Sequence, residues 1–574
     1  MTPTRLRRTA SAVAVLAAGA LVFSACSSGD DDKSGGGSTP KATTVLPGTG
    51  WNAADRDKVK DGGTLTLPVD AVPANWQILN LDSGTVDDNT LSTVYLPSFV
   101  TFAEDGSWKA NPDYATSVAL KSDDPQVVEV KLNPKAVWSD GTPMSYKDVA
   151  ANWKALNGTN KDFNPVSTNV WQDVSSVTKG TDDQDVLLTF KKKNADWPSI
   201  LTAIYPEWAV KDPKTFNNAW AKGPFAADGK TFVSGGPFIV TKFDANGGVV
   251  TFGKNPKWWG DPAKLDQIVF KVVSRAGLPQ AFANSELDAI NLYGSADAYK
   301  TAQGRSDAQI ERSLGTTFRH ITLNGTSQVF SDVNVRKAFA AGLNRSILAQ
   351  AILSGVESPV ELLNNLIYLP GQKGYEDHLG SVLTGDAKAA QKVLTDNGYT
   401  IGSDGYAAKD GKTLSVRFVI PSDNPNSANI AQLVQQQEKA VGFKVNIDVV
   451  PTADFFTKYI TTTTRNFDAT YFAWQGTPFP VSSTESIYYP ADSGQNYPGV
   501  TDDSLGAAWS AANAELDPAK RIDLANGIDK TITQLFTTIP LFPEPNAWAA
   551  KKTLANYGPT QFQSVPWQNV GFTG

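Results

Sequence analysis

Cysteine, histidine and methionine are scarce in this chain: its 574 residues include one cysteine, two histidines and two methionines. A single cysteine cannot close an intramolecular disulfide, and it excludes a zinc or iron–sulfur site built on cysteine. Two histidines disfavour a histidine-rich metal site, so we expect no metal and no cofactor. Basic residues are also in the minority, with 51 Lys and Arg against 58 Asp and Glu. The resulting net charge of −7 disfavours nucleic-acid binding.

Long apolar runs are missing after the first 25 residues. The apolar stretch Ser11–Ala25 follows three arginines and ends in small residues, the pattern of a secretory signal peptide. It is short for a membrane-spanning helix, which needs ~20 residues. Cys26 comes directly after Ser24-Ala25, and this arrangement resembles the lipobox of bacterial lipoproteins. The resemblance implies a signal peptide over 1–25, a lipid on Cys26 and a location outside the cytoplasm; the alternative is a plain signal peptide.

The segment after Cys26 has almost no apolar residues and is rich in Gly, Ser and Asp. Such a composition cannot bury a core and is typical of a flexible linker. We therefore predict a lipidated tether over residues 26–60 that holds the rest of the chain near a membrane.

The remaining residues predict a mixed α/β protein of more than one domain, because single cores stop growing near ~250–300 residues. Residues 414–420 alternate like a strand, 429–441 have helical spacing, and 443–450 alternate again. This strand–helix–strand order favours a partly parallel sheet.

Familiar catalytic motifs are absent: the sequence has no Gly-x-Ser-x-Gly, no His-Glu-x-x-His and no Gly-x-Gly-x-x-Gly that opens a helix. Five residues separate Gly405 from Gly411, where a phosphate-binding loop has four, and a strand follows instead of a helix. We predict no enzyme, with a secreted hydrolase as the alternative.

Tryptophan is abundant, with 15 residues, and its flat apolar ring with one donor suits contact with a ligand. Trp474 follows a predicted strand and begins a loop of Gln, Gly and Thr, the position where α/β folds place ligands. The candidate binding residues are Trp474, Gln475, Gly476, Thr477, Asn75, Trp76 and Asn324.

Several fragments, in this order, resemble the family 5 extracellular solute-binding proteins of ABC importers, the oligopeptide- and dipeptide-binding type. The fragments are Val128–Pro143 with Trp138-Ser-Asp-Gly141, Lys147–Val149, Gly235–Phe238, Glu286–Ala289, Phe330–Ala338, Asp468–Trp474 and Ile539–Phe542. They span about Gly62 to Phe542, nearly all of the chain after the tether.

The resemblance implies an α/β two-lobed clamshell of the type II periplasmic-binding-protein class, with an additional domain and a hinge between the lobes. The implied boundaries are 61–105, 225–322 and 530–574 for lobe I, 106–224 for the additional domain, and 323–529 for lobe II. A monomer would capture a small solute, in the first place a peptide, and deliver it to an ABC permease with its ATPase subunits. A ligand sensor on the same scaffold is a further alternative.

One position departs from the family pattern. The resemblance implies an aspartate three residues after the tryptophan, where it pairs with the ammonium of a peptide, but Thr477 stands there. A hydroxyl carries no charge, and a buried charge that loses its partner costs of order 3–5 kcal/mol. Either another acid such as Glu485 compensates, or the ligand is a non-peptide solute such as an oligosaccharide.

Overall fold

The computed structural model describes residues 45–83, 85–226, 228–422 and 424–574, so Cys26 and most of the predicted tether lie outside the described residues. The strands are β1 (Thr64–Val69), β2 (Val100–Phe102), β3 (Trp108–Ala110), β4 (Ala115–Asp123), β5 (Gln126–Leu132), β6 (Val174–Lys179), β7 (Asp185–Phe190), β8 (Phe238–Asp244), β9 (Val249–Lys254), β10 (Gln267–Val272), β11 (Ala289–Asn291), β12 (Ala308–Ser313), β13 (Thr317–Leu323), β14 (Thr400–Ile401), β15 (Ala407–Lys409), β16 (Lys412–Thr413), β17 (Ser415–Pro421), β18 (Lys444–Val450), β19 (Ala469–Gln475), β20 (Thr538–Pro543), β21 (Asn546–Lys551), β22 (Leu554–Ala555) and β23 (Gly571–Phe572).

The α-helices are α1 (Val86–Tyr95), α2 (Tyr146–Leu156), α3 (Glu207–Val210), α4 (Pro213–Asn218), α5 (Leu278–Ala283), α6 (Ala296–Gln303), α7 (Val333–Gly342), α8 (Arg345–Leu353), α9 (Ala387–Asp396), α10 (Pro425–Val441), α11 (Thr452–Asp454), α12 (Pro480–Tyr488), α13 (Leu505–Ala514) and α14 (Pro518–Thr533). None of the helices within the described ranges is long and apolar enough to cross a membrane.

A first core, which we define as the buried side chains from Leu65 to Phe270 with Ala289 and residues near 550–570, joins two four-stranded sheets. One sheet has the order β1-β10-β9-β8, with β1 parallel to β10, and the other is the antiparallel sheet β4-β5-β7-β6. Leu65 and Leu67 of β1 are buried and alternate with half-exposed residues, as expected for a strand with one face on a core.

A second core extends from Ile321 to Phe542 around the five-stranded sheet β18-β17-β19-β13-β20. β17 is parallel to β18 and β19, whereas β13 is antiparallel to β19 and β20. The predicted strand–helix–strand unit is confirmed as β17, α10 and β18. α10 ends at Val441, and Gly442 follows it with a φ of 122°, a backbone conformation that favours glycine.

The chain passes between the two cores twice, at neighbouring places. It leaves the three-stranded sheet β11-β21-β12 after β12, enters the second core as β13, and returns between β20 and β21. The two passages touch, because the Glu544 amide donates to the Thr317 carbonyl at 2.7 Å. The predicted lobe I included residues 317–322 and 530–543, but their strands β13 and β20 pair within the sheet of the second core.

The predicted tether is too long at its carboxyl end. Trp51 is buried and Val59 is 1% exposed. Val59 forms a β-bridge with Thr573, and the Lys60 amide donates to the Phe572 carbonyl at 2.9 Å. Residues from about 45 onward therefore pack on the body, because their apolar side chains find partners near the carboxyl terminus. The division into lobes otherwise stays a prediction.

Glu438 is a buried acid within the second core. It lies on α10 with 0% exposure, and neither carboxylate oxygen has a hydrogen-bond partner among the described residues. Burial raises the pKa of the Glu438 carboxyl well above its ordinary value of 4.5. The folded protein therefore holds a proton there that the unfolded chain releases above pH 4.5.

We expect Glu438→Met to raise the free energy of unfolding by about 1–3 kcal/mol, since it removes an unsatisfied buried group. The unsubstituted protein must take up a proton at Glu438 when it folds, so it loses stability as the pH rises from 4.5 to 7. The Met variant takes up no proton there, so its stability advantage should grow over the same pH range. Urea denaturation at several pH values measures both. Glu438→Gln is the control: it removes the pH dependence but keeps an unsatisfied polar group. A less stable Met variant would contradict this account.

Candidate functional site

The three parallel strands of the second core end at one edge of the sheet. β17, β18 and β19 finish at Pro421, Val450 and Gln475, and β13 begins beside them at Thr317. Ligands of open α/β sheets bind outside the carboxyl ends of the strands. The same edge lies where the chain passes between the cores, so it meets the first core directly.

Trp474 stands at this edge as part of a group of stacked rings. Its ring is parallel to that of Tyr497, with 5.7 Å between centroids and 9° between planes, and it meets Phe472 edge-on at 5.5 Å. Phe456 also contacts Phe472 and Tyr497 and is 49% exposed. The rings hold the Trp474 indole in one orientation while it remains partly accessible.

His320 lies beneath these rings and is fully buried. Its ring is parallel to Trp474, with 6.2 Å between centroids, and its Nδ1 lies 3.1 Å from the Thr322 hydroxyl. Burial, with a smaller effect of the Arg319 charge, lowers the pKa of His320 to about 3. The imidazole is therefore neutral at neutral pH and supports the ring group without adding charge.

The residues after Trp474 differ in exposure and in bonding. Gln475 is exposed, and the Gly476 amide donates to the Thr316 carbonyl at 2.8 Å. A β-carbon on Gly476 would lie 2.6 Å from Leu369 Cδ1, so a larger residue here would require the Leu369 side chain to move. The structure thus places the Trp474 loop against the passage between the cores.

Thr477 uses its hydroxyl within its own loop. It donates to the Ser483 hydroxyl at 3.0 Å and accepts from the Phe479 amide at 3.1 Å. Glu485, the suggested replacement acid, accepts from Asn513 Nδ2 at 2.7 Å and faces α13. Neither side chain reproduces a free carboxylate next to Trp474.

Asn75 and Trp76 lie in the first core and not with the Trp474 loop. Trp76 is 1% exposed and packs against Tyr95 and Phe243, and its carbonyl accepts from the Tyr205 hydroxyl. The side-chain oxygen of Asn75 accepts from the Gln77 amide. Contact of these two residues with a ligand stays a prediction, and their present contacts are those of packing residues.

Asn324 lies at the end of β13 that is distant from the carboxyl edge. Its Nδ2 donates to the carbonyls of Arg465 and Phe467, and its Oδ1 accepts from the amide and hydroxyl of Thr326. The side chain is 3% exposed, so it holds loops together. Its contact with a ligand also stays a prediction.

A cavity of about 210 Å³ lies between the two cores, next to the Thr477 loop. The first core contributes Asp105–Trp108 with Ala195 and Asp196, and the second contributes residues 368, 372–374, 478–481, 515, 516, 518, 521 and 522. Asp196 and Arg521 join the cores by a two-point ion pair, with N–O distances of 2.5 and 2.8 Å. Beside it, the Ala195 amide donates to the Asn513 carbonyl.

The sequence interpretation missed several residues at this junction. Tyr497 stacks on Trp474, Phe456 contacts Tyr497, and Phe479 meets Phe102 of the first core edge-on at 5.7 Å. Phe456 follows a predicted strand in the sequence, as Trp474 does, and the same argument could therefore have proposed it as a binding residue. The Asp196–Arg521 pair had no signal, since 325 positions separate its members.

No group of three or more His, Cys, Asp or Glu that could hold a metal ion is found in the part of the chain that the structure describes.

Comparison with known proteins identifies the family. The model of the bacterial extracellular solute-binding proteins, family 5, matches residues 109–496, and the chain belongs to this family. It is a family of substrate-binding proteins of ABC transporters and not of enzymes. The predictions of the family, of a solute-binding role and of no enzyme are confirmed.

The chain is also similar to individual relatives. It is 31% identical over 557 residues to the oligopeptide-binding protein OppA of Mycobacterium tuberculosis, covering 96% of this chain and 92% of that protein. It is 23% identical over 485 residues to the probable monoacyl phosphatidylinositol tetramannoside-binding protein LpqW of the same species, covering 78% and 72%.

Solved structures of similar fold include two ligand-binding proteins. The periplasmic EDTA-binding protein EppA superposes with a TM-score of 0.81 at 22% identity, over 92% of this chain and 99% of that one. The oligopeptide-binding protein AppA of Bacillus subtilis, in complex with a nonapeptide, gives 0.69 at 20% identity, over 90% and 100%. These likenesses confirm the predicted α/β clamshell.

Proposed function

We propose that the chain captures a peptide-like solute at the carboxyl edge of the five-stranded sheet, between the two cores, and delivers it to an ABC permease. The observation that carries the proposal is the position of Trp474, on a strand end at the passage between the cores. The similarity to OppA over 96% of the chain supports a peptide as the solute.

The geometry suits capture by closure. Trp474 offers a partly exposed indole face that Tyr497 and His320 hold in place, and Gln475 offers exposed polar groups. The two adjacent passages let one core move against the other around a bound solute, and such closure removes the solute from water. Affinity then depends on the balance between open and closed forms as well as on direct contacts.

We also propose that the mature protein is a monomer tethered to the membrane by a lipid on Cys26. The support is the position of the single cysteine directly after a signal-like segment. A single acyl chain binds membranes only marginally, so stable anchoring needs further lipid. Mass spectrometry of the amino-terminal peptide after expression in a bacterium tests this, and an unmodified Cys26 would contradict it.

The ligand can be identified from what the body retains. The body from residue 45 onward is purified without denaturation, weighed by native mass spectrometry, and its ligand is released and identified. A mixture of short peptides supports the proposal. A single neutral solute such as an oligosaccharide would replace the peptide by the alternative that the uncharged Thr477 position allows.

We expect Trp474→Ala to weaken binding of the released ligand by about tenfold or more, since loss of a tryptophan contact at a binding centre often costs ~2 kcal/mol. Trp153→Ala, which removes a partly buried indole from α2, is the matched control and should leave affinity unchanged. Isothermal titration measures both, and thermal melting verifies folding. Equal affinities in the two variants would place the site elsewhere.

A further inference from the structure

A second cavity, of about 410 Å³, lies beside the first core. Three segments form its wall: the turn before α2 with the first residues of that helix, the loop between β6 and β7, and the start of α3 with the residue before it. It shares no lining residue with the cavity next to the Thr477 loop. Its volume is within the range of small-molecule sites, ~300–1,000 Å³. The cavity is therefore large enough for a ligand of its own.

Part of the wall is a flat apolar surface. Trp208 is half-buried, and its ring packs against that of Trp220 with 6.1 Å between centroids, which holds the indole in place. Pro143 and Pro206 add further apolar groups to the same wall. A fixed indole with an accessible face suits contact with the apolar face of a ring-shaped ligand.

The wall also carries an unsatisfied donor next to a fixed acceptor. Trp138 is 2% exposed and Asp148 is 6% exposed, yet both line the cavity. The Asp148 carboxylate accepts from the Ser145 and Glu207 amides at 2.9 and 2.8 Å, which fixes its position. The Trp138 indole N–H points toward this carboxylate without reaching hydrogen-bond geometry, and Nε1 has no other partner among the described residues. Buried polar groups are costly to leave unpaired, so a ligand atom between the two groups would be stabilised.

The charges around the cavity are nearly balanced. Lys147 and Lys211 are exposed on its wall together with the acids Asp183 and Glu207, and Lys147 Nζ lies 3.7 Å from an Asp183 oxygen. Burial raises the pKa of the Asp148 carboxyl to about 6, although the two backbone amides oppose this rise. The carboxyl group is therefore mainly ionised at neutral pH and acts as an acceptor. Such a wall favours a ligand that is polar but carries no net charge.

We propose that this cavity binds a neutral saccharide. One sugar ring packs its C–H face on Trp208, and one of its hydroxyl groups accepts from the Trp138 indole and donates to Asp148. A hydroxyl group can accept and donate through the same oxygen, so it satisfies both wall groups at once. The inference goes beyond the proposed function, because it assigns a second ligand to another part of the chain. Free sugars and polysaccharide chains share this chemistry, and the test separates them.

The test uses two sets of named probes on the purified body from residue 45 onward. The first set contains the methyl glycosides of α-mannose, β-glucose, β-galactose and β-N-acetylglucosamine, and the second contains maltotetraose and chitotetraose. Saturation-transfer NMR detects binding, and titration of the signal gives each dissociation constant. We expect at least one probe to bind. A tetrasaccharide that binds about tenfold more tightly than its methyl glycoside supports a polysaccharide chain as the ligand, and equal affinities support a free sugar.

Two variants locate the bound sugar. Trp208→Ala should weaken its binding by about tenfold or more, since it removes the stacking surface. Thr142→Trp should do the same while leaving every buried residue in place, because Thr142 is exposed on the cavity wall and a larger side chain would fill the space. Thr413→Trp changes an exposed threonine on β16 in the same way and is the matched control, with unchanged binding expected. Melting temperatures verify that the variants fold.

Trp474→Ala separates this inference from the proposed function. It should lose capture of the peptide-like solute but keep the affinity for the sugar probe. Loss of sugar binding in Trp474→Ala, with retention in Thr142→Trp, would place the sugar at the edge of the five-stranded sheet and overturn this inference. Absence of binding by all six probes would also overturn it, and capture of peptides by the same preparation would leave the proposed function standing.

Discussion

Replacement of Arg521 by methionine is expected to lower the free energy of unfolding by about 3–5 kcal/mol, because it leaves a buried carboxylate without its cation. The Asp196 side chain is 2% exposed and that of Arg521 is 14% exposed, so water does little to compensate. Arg521 also donates through Nε to the Ala512 carbonyl, which orients the guanidinium. Urea denaturation at pH 7, followed by tryptophan fluorescence, measures the change.

A double-mutant cycle separates the charge from the packing. D196L/R521M removes both members and should recover most of the stability that Arg521→Met loses, since no charge is then buried alone. Arg521→Lys keeps the charge but not the two-point geometry, and should fall between the two. If the double variant were as unstable as the single one, the ion pair would not be the cause.

Because the pair joins the two cores, the single variant should also weaken ligand binding.

Replacement of His378 by alanine is expected to destabilise the second core by about 3–5 kcal/mol, through the acid that it leaves behind. Asp529 on α14 has 0% side-chain exposure, and it accepts from His378 Nδ1 and from the Leu366 amide. The second ring nitrogen of His378 lies 3.0 Å from Glu376. The His378 side chain is only 9% exposed and lies between these two acids.

The same histidine gives stability a pH dependence of known sign. The hydrogen bond with Asp529, aided by Glu376, raises the pKa of His378 above its ordinary value of 6.5. The stability that protonated His378 contributes is therefore fully present below pH 6.5. It is lost as the pH rises through the pKa that His378 has in the folded protein. His378→Asn keeps a donor for Asp529 without the charge, so its unfolding free energy should lack this fall. A fall of equal size in the Asn variant would assign it to another group.

The sequence predicted those structural features that depend on residues close together in the chain. The alternation at 414–420 and 443–450, with helical spacing at 429–441 between them, predicted a parallel unit, because strand and helix periods differ. The loop at Trp474 was predicted because a strand end at a sheet edge is a local feature. The first core illustrates the opposite case: Trp76 follows a turn-like Pro-Ala-Asn, yet Tyr95 and Phe243 bury it, and those partners are distant in sequence.

The residues that join the two cores could not be predicted either, because their partners are also distant in sequence. Asp196 and Arg521 meet only because two separately folded cores touch, and no spacing rule links them. The sequence could not assign β13 and β20 to a sheet, because both have the pattern of ordinary strands and only their pairing places them in the second core.

The pairing of Val59 with the segment near residue 573 has a consequence for the order of folding. Val59 bridges Thr573, β21 lies between β11 and β12, and Leu554 and Val570 are buried in the first core. Contacts across some 500 positions carry a large loop-closure cost and form late. During synthesis or export from the amino end, the second core, whose buried residues all lie between 321 and 542, has its complete sequence first. The first core must wait for the last thirty residues, so a truncated chain would present half of a clamshell with its apolar interior uncovered.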